Sequence, residues 1–135
     1  MASDPVAEID LVGVRFDGMG RSPGQAGAPQ ALRAAGLETA LPTAELTADV
    51  ILPAPTSARG PAGFINEPAL LVMVDAVYSR VGHSLRTGRF PLLYGADCAV
   101  LLAAIPALRR HYRPGRPVVR RCPRGRHHDG AIGHR

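Results

Sequence analysis

The residues best placed for chemistry are Asp97 and Cys98. They follow the apolar run Pro91-Leu92-Leu93-Tyr94, which reads as a buried strand breaking at Gly95-Ala96-Asp97 directly into a helix. In an open α/β sheet, ligands gather at such a strand end. A thiol at a helix start ionises more readily and can act as a nucleophile, yet no His stands nearby in sequence to serve as its base. Cys98 therefore reads either as a functional thiol or as a small buried residue at a helix start. Asp97 reads either as a site residue of the strand-end turn or as a helix cap. A second group, Cys122, His127, His128, Asp129 and His134, could be taken as a metal cluster, although its spacing fits no standard zinc pattern.

The elements that must position these residues alternate. Ile9 to Val14 is a short strand ended by Asp17-Gly18-Met19-Gly20, whose glycines suit a turn. From Pro29, the segment Gln30 to Leu37 reads as a short helix with Pro in its first turn and Gly36 as its stop signal. Ala48 to Leu52 is the candidate second strand, and the Pro- and Gly-rich stretch 53–63 is a loop. In Glu67 to Leu85, apolar residues at Leu70, Leu71, Val74, Val77, Tyr78, Val81 and Leu85 have the spacing of a helix packed on one face. Phe90 to Tyr94 is the third strand, and Ala99 to Arg110 the helix after it, with Pro106 as a kink or early stop. This order predicts an α/β fold with a mostly parallel sheet and helices on both faces. Three strands are few for such a sheet, so the sequence reads as the N-terminal portion of a larger domain.

Charge divides the chain in two. Of its 135 residues, 1–112 hold nine Arg and ten Asp or Glu, whereas 113–135 hold seven Arg and one Asp. The net charge of +5 thus belongs to the tail. All 16 basic residues are Arg, with no Lys, as a GC-rich coding sequence would give. The Arg of the tail could contact phosphates, but no aromatic residue follows Tyr112 to stack on bases. Two cysteines are too few for a disulfide framework, which makes a reducing cytoplasm the default compartment. The acidic N-terminus is not an export signal, and the longest apolar region, 91–108, is broken by Asp97 and Pro106, so no membrane span is expected.

Three segments carry a resemblance to a known family: the strand Ile9 to Val14, the run Gly27-Ala28-Pro29-Gln30-Ala31-Leu32-Arg33, and Gly88 to Asp97. In order and spacing they resemble the arginase, agmatinase and formiminoglutamase family over roughly residues 6–112. That resemblance implies a partial three-layer αβα sandwich, manganese as cofactor, and hydrolysis of a C–N bond in a small guanidino, amidino or formimino substrate. It also implies that Cys98 stands where the family has its first manganese ligand, a His after a Gly-Gly-Asp-like turn. The family's following metal segment, an Asp-x-His-x-Asp run at the end of the next strand, has no counterpart in the residues as written.

That missing segment is compatible with the adjacent reading frame. Back-translated from Arg113 and read one base later, permitted codons give Gly-Arg-Ala-Gly-Leu-Leu-Phe-Val-Asp-Ala-His-Glu-Asp-Ala-Thr-Thr-Met-Glu-Gln-Ser. An apolar strand precedes the Asp-Ala-His-Glu-Asp string at the distance expected from Asp97. The chain is accordingly expected to consist of a truncated arginase-like α/β domain at 1–112 and an out-of-frame, Arg-rich, disordered tail at 113–135. Such a chain would lack activity and bind no manganese. Two rivals remain: a small α/β binding protein whose basic arm associates with nucleic acid, and a thiol-dependent enzyme using Cys98.

Overall fold

The computed structural model describes residues 8–41 and 44–112. The expected tail at 113–135, including Cys122, His127, His128, Asp129 and His134, lies outside the described residues. Three strands form an all-parallel sheet in the order β2-β1-β3: β1 is Ile9–Val14, β2 is Ala44–Leu46 and β3 is Phe90–Gly95. Four helices accompany them: α1 (Ala28–Ala34), α2 (Leu37–Ala40), α3 (Glu67–Arg86) and α4 (Leu101–His111).

β1 is central because five of its six residues are buried, as a parallel strand covered on both faces requires. On one face, Val12 and Val14 pack with Met73, Val77 and Val81 of α3 and with Ala103 and Ala107 of α4. On the other face, Tyr94 accepts from Arg33 of α1, and Gly13 lies against Tyr94 and Asp49. The chain is therefore α/β, with the sheet between helical layers.

The long helix α3 runs 67–86, one residue beyond expectation, and starts with Pro68 in its first turn, where a missing N–H costs nothing. Its buried side chains include Leu70, Met73, Val77 and Val81, but Leu71, expected in the core, is 62% exposed. Below it, the buried Asp10 accepts hydrogen bonds from Ser84 and Arg89. Burial opposes the charge on Asp10, but those two bonds and the Arg89 charge outweigh it and hold the carboxyl below its ordinary range.

The second strand is displaced from its expected place. It occupies 44–46, and within 48–52 only Val50 makes a bridge, to Val14. Leu11 accepts from Thr47 N–H and Gly13 from Val50 N–H. Two steps along β1 therefore match three along this segment. The extra residue breaks the ladder as a bulge does, and it turns Asp49 toward Arg33. Gly36 does end α1, in the left-handed region at φ 96°, but the short helix α2 begins immediately after it. Pro106 neither stops nor shortens α4, which continues five residues beyond it.

Candidate functional site

The site is built where β3 ends. Gly95 and Ala96 both take positive φ, 86° and 62°, so the chain leaves the sheet sharply and Asp97 falls at the start of a 3-10 turn, Cys98–Val100, that leads into α4. Gly95 is dictated twice, by its φ and by space, since a Cβ there would lie 2.4 Å from Cγ of Pro29. The first turn of α1 thus presses on the end of β3. Two of the three segments that carry the family resemblance meet at this contact.

Asp97 is the cap of that turn. Its Oδ1 accepts from Ala99 N–H at 2.9 Å, and its Oδ2 accepts from Gly18 N–H at 2.8 Å. Both carboxylate oxygens are held by backbone donors, so the side chain ties the loop after β1 to the end of β3. Cys98 is exposed, which corrects the reading of it as a small buried residue. The turn points it outward, at the rim of a cavity of about 470 Å³ lined by Asp17, Gly18, Met19, Arg21, Gln25, Asp97, Cys98, Ala99 and Leu102. Among the described residues no histidine lines this cavity to serve the thiol as a base.

Asp17 organises the other wall and was seen in the sequence only as part of a turn. It is buried, and its carboxylate accepts from the N–H groups of Met19 and Gln25, each at 2.8 Å, and from Arg21. Its carbonyl accepts from Asn66 Nδ2 at 3.0 Å. The Gln25 backbone bond, supported by Met19 and Arg21 against the cost of burial, lowers its pKa to about 2. A carboxylate followed by Gly-x-Gly was the available signal, because Asp bonding its own downstream backbone is what builds such turns.

A third group supports the sheet from below. Arg33 makes a two-pronged pair with Asp49, at 2.6 and 2.8 Å, and also donates to Tyr94 Oη at 2.8 Å. That pairing holds the Asp49 carboxyl below its ordinary range and raises the Arg33 guanidinium further. Gly13 makes room for it, since a Cβ there would lie 2.4 Å from Asp49 Oδ1. Arg33 is the last residue of the Gly-Ala-Pro-x-Ala-Leu-Arg segment, which gives that segment a structural reason.

These residues do not fit a manganese pair. Hard divalent ions want several carboxylate oxygens and imidazole nitrogens. Here the Asp97 oxygens are bound to backbone donors and the neighbouring donor is a thiol. Among the described residues, no three His, Cys, Asp or Glu side chains converge.

A family model described as the Arginase family matches residues 7–120. The chain belongs to the arginase family. The fold agrees with solved arginases. The arginase from Bacillus caldovelox, in its native structure at pH 5.6, superposes with a TM-score of 0.67 at 24% identity, over 80% of this chain and 38% of that one. The arginase from Bacillus subtilis superposes with a TM-score of 0.63 at 22% identity, over 78% of this chain and 34% of that one. This arginase-family chain therefore spans little more than a third of the length of either. A comparison with curated proteins gave no match. No helix among the described residues is long and apolar enough to cross a membrane.

Proposed function

We propose that this chain carries the N-terminal part of a metal-dependent hydrolase acting on C–N bonds of small guanidino, amidino or formimino compounds, and that its reading frame departs from the family's near Tyr112. In such an enzyme manganese would activate the attacking water. The chain as written does not perform that reaction, because the carboxylates that would hold the metal are not among its described residues. The observation that carries this reading is the coincidence of two things. The Arginase-family match, over residues 7–120, spans the Gly95-Ala96-Asp97 turn that ends β3. The codons after Tyr112 also admit an Asp-Ala-His-Glu-Asp string behind an apolar strand in the adjacent frame.

What the described residues do contribute is position. Asp97 fixes the direction of the turn, Asp17 holds the opposing loop, and Pro29 against Gly95 sets the distance between α1 and β3. Cytoplasmic location belongs to the same proposal, resting on the cysteine usage.

The decisive measurement is the coding DNA. It should continue, one base later, well past the codon of Arg135 and encode a further Asp-x-Asp segment; an early stop in that frame overturns the proposal. The purified 135-residue chain should release no urea or ammonia from guanidino substrates with manganese present. Turnover abolished by Asp97→Ala would overturn that part.

A further inference from the structure

The C-terminal parts of α3 and α4 enclose a groove of about 520 Å³ whose charged lining is wholly cationic. Tyr78, Ser79, Gly82 and Arg86 of α3 form one wall, and Ala107, Arg110 and His111 of α4 form the other. The α3 positions fall close to one helical turn apart, so they make a single stripe toward α4. Gly82 and the buried Ala107 are the small residues that leave its floor open.

Each cationic side chain is placed by a different device. The Arg86 guanidinium folds back along its own helix, since a Cβ on Gly82 would lie 3.2 Å from its Nη1. Arg110 donates from α4 to Tyr78 Oη of α3 at 3.4 Å. His111 stands edge to face with Tyr112, their ring centroids 4.7 Å apart. Among the described residues no carboxylate pairs with any of the three. Asp75, the nearest acidic residue along α3, lies outside the lining.

Helix ends account for part of this charge. A helix C-terminus carries about −0.5 of an elementary charge, so two such ends offset about one of the two guanidinium charges. Arg86 is not required as a cap either. The carbonyls of His83, Ser84 and Leu85 at the end of α3 already accept from the N–H groups of Thr87, Arg89 and Gly88. The residues after Tyr112 carry seven Arg against one Asp, so their charge does not neutralise the surplus.

We propose that this groove binds a dianionic phosphate group, carried by a small organic phosphomonoester or present as free phosphate. Guanidinium forks match phosphate oxygens in pairs. A phosphomonoester has three terminal oxygens and about −1.5 to −2 charge at pH 7, enough for both Arg side chains and a hydroxyl of Ser79 or Tyr78. A carboxylate, with two oxygens and one charge, would leave one fork unmatched. The volume falls within the roughly 300–1,000 Å³ of small-molecule sites, which leaves room for an organic group beside Tyr78. The groove lies at the far end of α4 from the Asp97 turn, so this inference does not depend on the reaction proposed above.

Titration of the 135-residue chain with inorganic phosphate and with phenyl phosphate tests it, followed by amide chemical shifts in about 0.1 M sodium chloride. Saturable shifts at Gly82 and Arg110 are expected, with a dissociation constant of about 1 mM or lower. Tighter binding of phenyl phosphate would name an ester as the ligand; equal or weaker binding would name free phosphate. Arg86→Gln and Arg110→Gln should each raise the dissociation constant about 10-fold. Arg109→Gln removes the same charge from the same turn but outside the lining, and should change it less than about twofold. Gly82→Leu removes no charge and puts a better helix former at that position, yet fills the floor, so it should abolish binding. No saturation below about 10 mM, or equal losses in all three Arg variants, would overturn the proposal. Binding unmoved by both Arg86→Gln and Gly82→Leu would also overturn it, placing the phosphate on Arg residues elsewhere in the chain.

Discussion

Gly18 donates its backbone N–H to Asp97 Oδ2 at 2.8 Å, joining two loops that lie 79 residues apart in sequence. The bond couples the turn after β1 to the turn after β3, so the rim of the cavity is set by a contact between loops and not by either loop alone. Asp97→Ala removes it together with the cap on Ala99. Loss of a cap costs about 0.5–2 kcal/mol, and the stranded Gly18 N–H about 1–3 kcal/mol more where it is shielded from water. Urea denaturation should show a loss of at least about 1 kcal/mol by that reasoning. An unchanged midpoint would mean that water replaces Asp97 at both donors.

Asp17 gives the fold an acid-sensitive point. Its pKa of about 2 lies below the ordinary carboxylate value of 3.8, so it binds a proton less readily folded than unfolded. The stability it contributes is complete above the unfolded value and is lost as pH falls toward about 2. Asp17→Asn should therefore be less stable than the parent at pH 7, with the difference narrowing between pH 4 and 2. Parallel stability curves across that interval would show that the carboxylate charge is not what the Met19 and Gln25 donors hold.

The pair Arg33–Asp49 depends on an absent side chain. At Gly13→Ala the new Cβ would lie 2.4 Å from Asp49 Oδ1 and 3.1 Å from the Tyr94 ring, which forces the pair apart. Overpacking of this kind costs about 1–3 kcal/mol. If the clash acts through the ion pair, Gly13→Ala should cost much less in an Asp49→Ala background than in the parent. A double-mutant cycle by chemical denaturation reads that coupling, and additive losses would refute it.

Much of this architecture was legible because its signals are local. A short Ile-, Leu- and Val-rich run ended by a Gly-rich turn marks Ile9–Val14, and a helical period marks 67–86 to within one residue. What was not legible depends on partners distant in sequence. The strand expected at 48–52 is interrupted by an extra residue where Asp49 pairs with Arg33, 16 residues earlier. Cys98 is exposed because the two left-handed residues before it turn it out of the sheet, and no periodicity reports a φ angle. Similarly, α4 is apolar on nearly every side, so its sequence could not say that the alanines would be the buried face.

Ala96 supplies the last test, because it holds a backbone conformation that its own side chain opposes. Its φ of 62° follows a Gly95 at 86°, and the pair is needed to swing Asp97 into reach of Gly18. For a residue with a Cβ, the left-handed region costs about 1–2 kcal/mol, whereas glycine enters it freely. Glycine also has more freedom to lose on folding, which takes back about 0.5–1 kcal/mol. The strain exceeds the entropy, so Ala96→Gly should stabilise the chain by about 0.5–1 kcal/mol on those magnitudes. The gain should disappear in an Asp97→Ala background, where the turn no longer has to hold its direction. A destabilised Ala96→Gly, measured by urea denaturation with an unchanged slope, would mean that the Ala96 methyl group, which packs on the core beside Ala99 and Val100, outweighs the strain it causes.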